Sequence, residues 1–291
     1  MTFLIVLAGI LCQGADEDRS IDVGPLKRTY RLHVPPKVDK ARPMPLVVVF
    51  HGGGGGAVQM DRLGFSQLAD RDGFIVAYPD GVEHNWKDGR DVPAFREKHK
   101  DVDDLKFIAA MIDEISKAYP VDPKRIYATG VSNGGIFSHY VGMHLADRFA
   151  AIAPVIGGVA EPEAPKFKPT APLAVLMMNG TQDPLVPFDG GPVARNRGRI
   201  ISTREAARLW VEHNGCGAAP AKSDLPDKDP NDGCTVVKEV WSGGKAGTEV
   251  ILLTIRGGTH SWPGRGQDAG VCRDFDAATV IWEFFKAHPK P

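Results

Sequence analysis

Cysteine is scarce in this chain: four residues in 291, at positions 12, 216, 234 and 272. So few exclude a disulfide-built scaffold, and their spacing fits no zinc pattern. Long apolar runs are missing too. The most apolar stretch lies between Met1 and Ala15 and carries about ten such residues, too few to cross a bilayer as a helix. No basic block occurs; 35 Lys and Arg stand against 36 Asp and Glu, a net charge of −1. Nucleic acid and stable membrane insertion are therefore not expected. There is no internal repeat and no low-complexity tract. What is present is an ordinary globular composition, 43% apolar, enough for a sizeable core without metals or dense cross-links. A small-molecule, glycan-linked or polyester substrate fits this balance best.

The first fifteen residues end in Gly14-Ala15 and precede the charged stretch Asp16–Arg19. They read as a secretory leader cleaved near Gly14 or Ala15, atypical in having no Lys or Arg before its apolar run. A single domain over residues 16–291, extracellular or periplasmic, is the expectation. Cys12 would leave with the leader. Cys216 and Cys234 bracket a polar loop and are the favoured pair for a bridge in an oxidising compartment, with Cys272 left over and the connectivity open.

Thr29–Val34 alternates like a strand, and short apolar runs recur at Pro45–Phe50, Gly73–Tyr78, Arg125–Thr129, Ala150–Val155, Leu173–Met178 and Glu249–Ile255. Runs such as Pro-Leu-Val-Val-Val-Phe are what strands buried on both faces of a parallel sheet look like. Helical patterns alternate with them. Asp101–Ala118 carries Leu105, Ile108, Ile112 and Ile115 on one face, with Asp101 as N-cap and Asp104 three residues on. Gly134–Leu145, Ser202–His213 and Asp276–His288 follow the same logic. Residues 215–233 read as one long surface loop. The alternation predicts an α/β fold: a mostly parallel central sheet with helices on both faces, in one domain.

Chemistry enters at Gly130-Val-Ser-Asn-Gly134, between a predicted strand and a predicted helix. A strand-to-helix turn this tight needs glycine on both sides and aims the Ser132 hydroxyl outward at a helix N-terminus. A serine nucleophile then needs an oxyanion site and a base. His51 is followed by five glycines directly after the strand ending in Phe50, a stretch of bare backbone whose N–H groups can face a carbonyl oxygen. Gly53 and Asn133 are the expected donor pair, with Gly52 or Gly54 able to replace Gly53. His51 reads as a structural residue of that loop. In this fold the acid and the histidine follow the serine, each after a later strand. Asp183, in Asn179-Gly-Thr-Gln-Asp-Pro, and His260, in Gly257-Gly-Thr-His-Ser-Trp, occupy those places; Asp189 is the second choice of acid. Trp86 and Trp262 lie beside these loops, where an indole can stack on a sugar or an aromatic acyl group or can brace the loop. Asp103 and Asp104 are accounted for by a helix N-terminus. No metal and no cofactor is expected.

Taken together, His51-Gly-Gly-Gly-Gly, Asn85-Trp86 with Asp88-Gly89, Asp101-Val-Asp-Asp-Leu-Lys-Phe-Ile108, Gly130-Val-Ser-Asn-Gly-Gly135, Asn179-Gly-Thr-Gln-Asp183 and Gly258-Thr-His-Ser-Trp-Pro-Gly264 resemble the bacterial polyhydroxybutyrate depolymerase-type esterases, relatives of feruloyl and acetylxylan esterases. The resemblance extends over nearly the whole mature chain and implies the α/β-hydrolase fold. It also implies a Ser132–Asp183–His260 triad and cofactor-free ester hydrolysis by a secreted enzyme. The chain departs from the family where Asn179 and Thr259 stand, and it lacks a cysteine that some relatives place near Gly243 or Gly244. The expected activity is serine esterase, on hydroxycinnamoyl or short-acyl glycan esters or on polyhydroxyalkanoate-type oligomers. An acyltransferase on the same scaffold and a non-catalytic glycan-binding module are the rivals.

Overall fold

The structure is a computed structural model that describes residues 14–39, 41–267 and 270–291. Residues 1–13 of the expected leader lie outside the described residues. Gly14 donates its N–H to the Asp70 carboxylate at 3.2 Å, and Ala15 opens the first strand.

The strands are β1 (Ala15–Val23), β2 (Leu26–Val34), β3 (Met44–Phe50), β4 (Ile75–Pro79), β5 (Val121–Val131) and β6 (Ala151–Val155). They continue with β7 (Ala174–Gly180), β8 (Gly191–Pro192), β9 (Arg199–Ile200), β10 (Ala221–Asp224), β11 (Thr235–Trp241) and β12 (Val250–Arg256). The helices are α1 (Ala57–Met60), α2 (Phe65–Asp72), α3 (Asp104–Ala118), α4 (Asn133–His144), α5 (Thr203–Asn214) and α6 (Ala277–Ala287). Ten strands form one sheet in the order β1-β2-β4-β3-β5-β6-β7-β12-β11-β10. The middle, β4 through β12, is parallel, and both margins are antiparallel. β8 and β9 make a separate two-stranded ribbon.

Strand β3 shows why its sequence carries no polar alternation. Leu46, Val48 and Phe50 enter the core beneath α3, α4 and α5, whereas Val47 and Val49 enter the core beneath α2 and α6. All five are fully buried, each contributing roughly 1.5–3 kcal/mol over exposure. This is the α/β-hydrolase arrangement expected from the alternation of strands and helices.

Three sequence expectations need correction. The N-cap of α3 is Asp103, whose carboxylate accepts from Lys106 N at 2.9 Å, and not Asp101. Asp104 instead turns inward, where Arg28 Nη2 donates to it at 2.7 Å and Lys87 N at 2.8 Å. Burial pushes the Asp104 carboxyl up, against the pull of Arg28. Residues 215–233 are not loop throughout: the exposed β10 lies within them and pairs with β11 at the sheet edge. The third concerns the favoured bridge, because among the described residues Cys216, Cys234 and Cys272 are all free thiols. Cys216 packs against the core on one face of the sheet and Cys234 belongs to the core on the other, so the sheet separates them. A side chain on Gly244 would bring its Cβ 2.8 Å from Cys216 Sγ, which is where a cysteine in that neighbourhood would meet it.

One buried histidine makes stability depend on pH. His139, on α4, is 1% exposed; its Nδ1 accepts from Trp210 Nε1 at 3.1 Å, and its Nε2 has no partner. Burial lowers its pKa to about 3, so the folded state holds it neutral while the unfolded chain protonates near its ordinary value of about 6.5. Below that value the unfolded state binds the extra proton, and the contribution is lost progressively as pH falls toward the folded pKa. At pH 5 this amounts to about 2 kcal/mol. A thermal melt series from pH 7 to 5 should show this loss shrinking in His139→Gln; an unchanged pH slope would assign the acid sensitivity to other groups.

Candidate active site

Between the last residue of β5 and the first of α4 stands Ser132 alone, at φ 57° and ψ −117°. A side chain in that region costs on the order of 1–3 kcal/mol and persists only where its surroundings impose it. They do so here. The Ser132 N–H donates to Val155 O at 3.0 Å and its carbonyl accepts from Ile136 N at 2.9 Å. The flanking glycines are sterically required: a Cβ on Gly134 would lie 2.3 Å from Phe50 O, and one on Gly130 2.5 Å from Gly134 O. Beneath the turn, Phe137 meets Phe50 edge-on and stacks with Trp86, ring centroids 4.8 Å apart in both pairs.

Two later loops reach this serine. His260, on the loop after β12, places Nε2 2.9 Å from Ser132 Oγ and Nδ1 2.7 Å from Asp183 Oδ2. Asp183, on the loop after β7, is buried, and its Oδ1 accepts from Leu185 N at 2.8 Å and Val186 N at 2.9 Å. The carboxylate is thus fixed by two backbone donors on one oxygen and offers the other to the imidazole. Asp189 is exposed on the same loop and makes no such contact. The polarity of the contacts places the imidazole proton on Nδ1 and leaves Nε2 to accept from the serine, the orientation a serine nucleophile requires.

Among the described residues, neither the Gly53 nor the Asn133 N–H has an acceptor, whereas Gly54 N–H is spent on His84 O at 2.8 Å. Gly53 and Asn133 are also close: a Cβ on Gly53 would lie 3.6 Å from Asn133 Cβ. Both residues line the cavity at Ser132, and Asn133 is the first residue of α4, so two unspent donors stand at its wall. His51 is fully buried and holds the glycine loop, with Nδ1 2.8 Å from Gly52 O and Nε2 accepting from Gly81 N at 2.9 Å. Burial lowers its pKa, and both ring nitrogens are taken up by the Gly52 and Gly81 backbone.

The two tryptophans part company. Trp86 is 2% exposed and donates Nε1–H to His51 O at 2.9 Å. It does not line the Ser132 cavity; stacked on Phe137, it braces the loop. Trp262 does line that cavity, and among the described residues its Nε1–H has no partner. The cavity measures about 390 Å³ and is bounded by Gly52–Gly55, Met60, Ile136, Val186, Trp262 and, at one side, Arg90, Arg195 and Arg197.

What orients Asn133 is not visible in the sequence. Its side-chain Oδ1 accepts from Trp86 N at 2.9 Å, and its Nδ2 donates to Asp88 Oδ2 at 2.7 Å. Asp88 is in turn held by Arg90, through Nη2 at 2.6 Å, both side chains being buried. The segment Trp86–Arg90 is therefore a clamp on the residue after Ser132. Asn85-Trp86 with Asp88-Gly89 was the available signal; only the geometry assigns its purpose.

The chain matches the esterase PHB depolymerase family over residues 28–191. It is 34% identical to NocK of Nocardia uniformis subsp. tsuyamanensis over 259 residues, covering 84% of this chain and 74% of that one. Against feruloyl esterase B of Piromyces equi it is 35% identical over 233 residues, 77% of this chain but only 40% of the relative. Among solved structures, the acetyl xylan esterase from Aspergillus awamori superposes with a TM-score of 0.65 at 14% identity, covering 94% of this chain and 99% of that one. The last comparison bears on the fold alone.

Proposed function

The chain belongs to the esterase PHB depolymerase family and is a serine-type carboxylic ester hydrolase; from that premise we propose that it works through an acyl-enzyme on Ser132. The observation that carries this reading is the unbroken hydrogen-bond line Asp183–His260–Ser132, 2.7 and 2.9 Å, opening beside two unspent N–H donors. Ser132 attacks the ester carbonyl as His260 takes its proton. The developing oxyanion accepts from Asn133 and Gly53. His260 then returns the proton to the leaving alkoxide, and a water activated by the same imidazole releases the acid. Trp262 borders the bound ester. The substrates are hydroxycinnamoyl or short-acyl glycan esters or polyhydroxyalkanoate-type oligomers, and the enzyme is secreted by its N-terminal leader.

A common acyl-enzyme has a signature independent of substrate identity. With methanol present, several acetate esters with different leaving groups should partition between acetate and methyl acetate in one fixed ratio, because each passes through the same acetyl-Ser132. A ratio that changes with the leaving group would exclude that intermediate. The relative kcat/KM for methyl ferulate, p-nitrophenyl acetate and hydroxybutyrate oligomers then orders the substrate classes.

A further inference from the structure

Three arginines converge on the cavity beside Ser132, and among the described residues only Arg90 is paired with a carboxylate. The Arg90 guanidinium lies across the Asp88 carboxylate, with Nε at 3.0 Å and Nη2 at 2.6 Å. Among the described residues no carboxylate pairs with Arg195 or Arg197, although the chain carries more acidic than basic side chains overall. Gathering like charges is unfavourable, and burial together with Arg195 and Arg90 lowers the pKa of the Arg197 guanidinium.

The placement is built. Residues 193–198 form the tip of the β8–β9 ribbon, closed by Val193 N donating to Gly198 O at 2.9 Å. The tip is fastened to the neighbouring loop by Ala194 N donating to Leu185 O at 2.9 Å. Arg90 Nη1 donates to Arg197 O at 2.8 Å, so the clamp that orients Asn133 also holds this tip. Arg195 and Asn196 have φ of 62° and 55°, a conformation uncommon for arginine. Arg197 leans over the Phe95 ring, 5.9 Å from its centroid, and reaches the oxyanion side of the cavity. A Cβ on Gly53 would lie 2.5 Å from Arg197 Nη1, so the absence of a side chain there makes room for the guanidinium.

We propose that Arg195 and Arg197 form a carboxylate-binding subsite, so that the ester processed at Ser132 carries a free carboxylate. The inference rests on the esterase reading above and narrows it. A guanidinium fork matches a carboxylate in shape and charge, and a partly enclosed site strengthens the contact. Feruloyl and acetyl groups on a neutral glycan offer no such anion. A hydroxyalkanoate oligomer does, at the acid terminus of its alcohol portion; so does a dicarboxylic acid half-ester, on its acyl portion.

Paired neutral isosteres separate these sources. Monomethyl succinate against methyl levulinate places the charge on the acyl side; para-acetoxybenzoate against para-acetoxyacetophenone places it on the alcohol side. Acid release is followed in a pH-stat, with spontaneous hydrolysis subtracted. In one arm the wild-type enzyme should favour the charged member about tenfold in kcat/KM, a preference eroded by added salt. Arg197→Gln and Arg195→Gln should bring that ratio toward one, with Arg197→Lys recovering part of it. Ratios near one in both arms for the wild type overturn the subsite. So does an equal loss on charged and neutral members in Arg197→Gln, which would place the guanidinium on the oxyanion instead. If no ester at all is hydrolysed, p-nitrophenyl acetate included, the failure is that of the underlying esterase reading.

Discussion

Ser132→Ala should fold and lose nearly all turnover, with kcat on p-nitrophenyl acetate down by about 10⁴- to 10⁶-fold. The expectation follows from where the parts sit. Removing Oγ takes away the nucleophile but leaves Asp183 and His260 hydrogen-bonded to each other, and the Gly53 and Asn133 donors depend on backbone alone. Any residual rate above that of water measures what those donors and the cavity supply without covalent chemistry. Stability gives an independent check. Alanine at φ 57° retains the strain of the turn, whereas Ser132→Gly relieves it and should melt higher than the alanine variant by about 1 kcal/mol of stability. An alanine variant that is well folded and as active as the wild type would remove Ser132 from the mechanism.

The sheet was legible where its strands are buried on both faces. β3 and β7 lie in the middle of the sheet, and every residue in either strand is buried, so β3 throughout and β7 as far as Met178 read as continuous apolar runs. At the margins β2 showed in the alternation of Thr29–Val34, but β1, β10 and β11 did not, for a physical reason visible in β11. Glu239 sits in that strand with its side chain 1% exposed, which should disqualify the segment, yet Lys222 from β10 donates to it at 2.8 Å and Arg204 from α5 joins them. Pairing across elements makes a buried charge tolerable, and no local pattern announces it. β1 is hidden in a similar way, since Ala-Asp-Glu-Asp-Arg-Ser-Ile-Asp-Val has few apolar positions and is held mainly by its ladder to β2.

The candidate site divides along the same line. Ser132, Asp183 and His260 could be nominated because each follows a readable strand and carries its own local motif. The environment of those residues could not. Whether Trp86 faced solvent or core depended on Phe137, 51 positions away in the sequence, and the role of Asp88 on Asn133 spans 45 positions. Arg195 and Arg197 lie in a polar stretch without a motif, and their meaning comes from a ribbon that folds back onto the glycine loop. Side-chain chemistry was readable; convergence was not.

The second large effect is expected at Asp183, and it distinguishes two substitutions that look alike. Both backbone donors, Leu185 N and Val186 N, address Oδ1. In Asp183→Asn they select the amide orientation with its oxygen at Oδ1, which turns the NH₂ group toward His260. Nδ1 must then accept, so the proton moves to Nε2, where it faces Ser132 Oγ and blocks the transfer the mechanism needs. The loss in kcat should be about 10⁴-fold with the fold intact. Asp183→Ala leaves Nδ1 without a partner but imposes no tautomer, so a fraction of the imidazole can still accept from serine. It also strands two buried N–H groups, at a cost of about 1–3 kcal/mol each. The two variants should therefore rank in opposite orders: asparagine more stable but no more active, alanine less stable but at least as active. Parallel melts and kcat/KM values decide it. An asparagine variant clearly more active than alanine would mean that the carboxylate serves chiefly to hold the loop, and not to set the tautomer of His260.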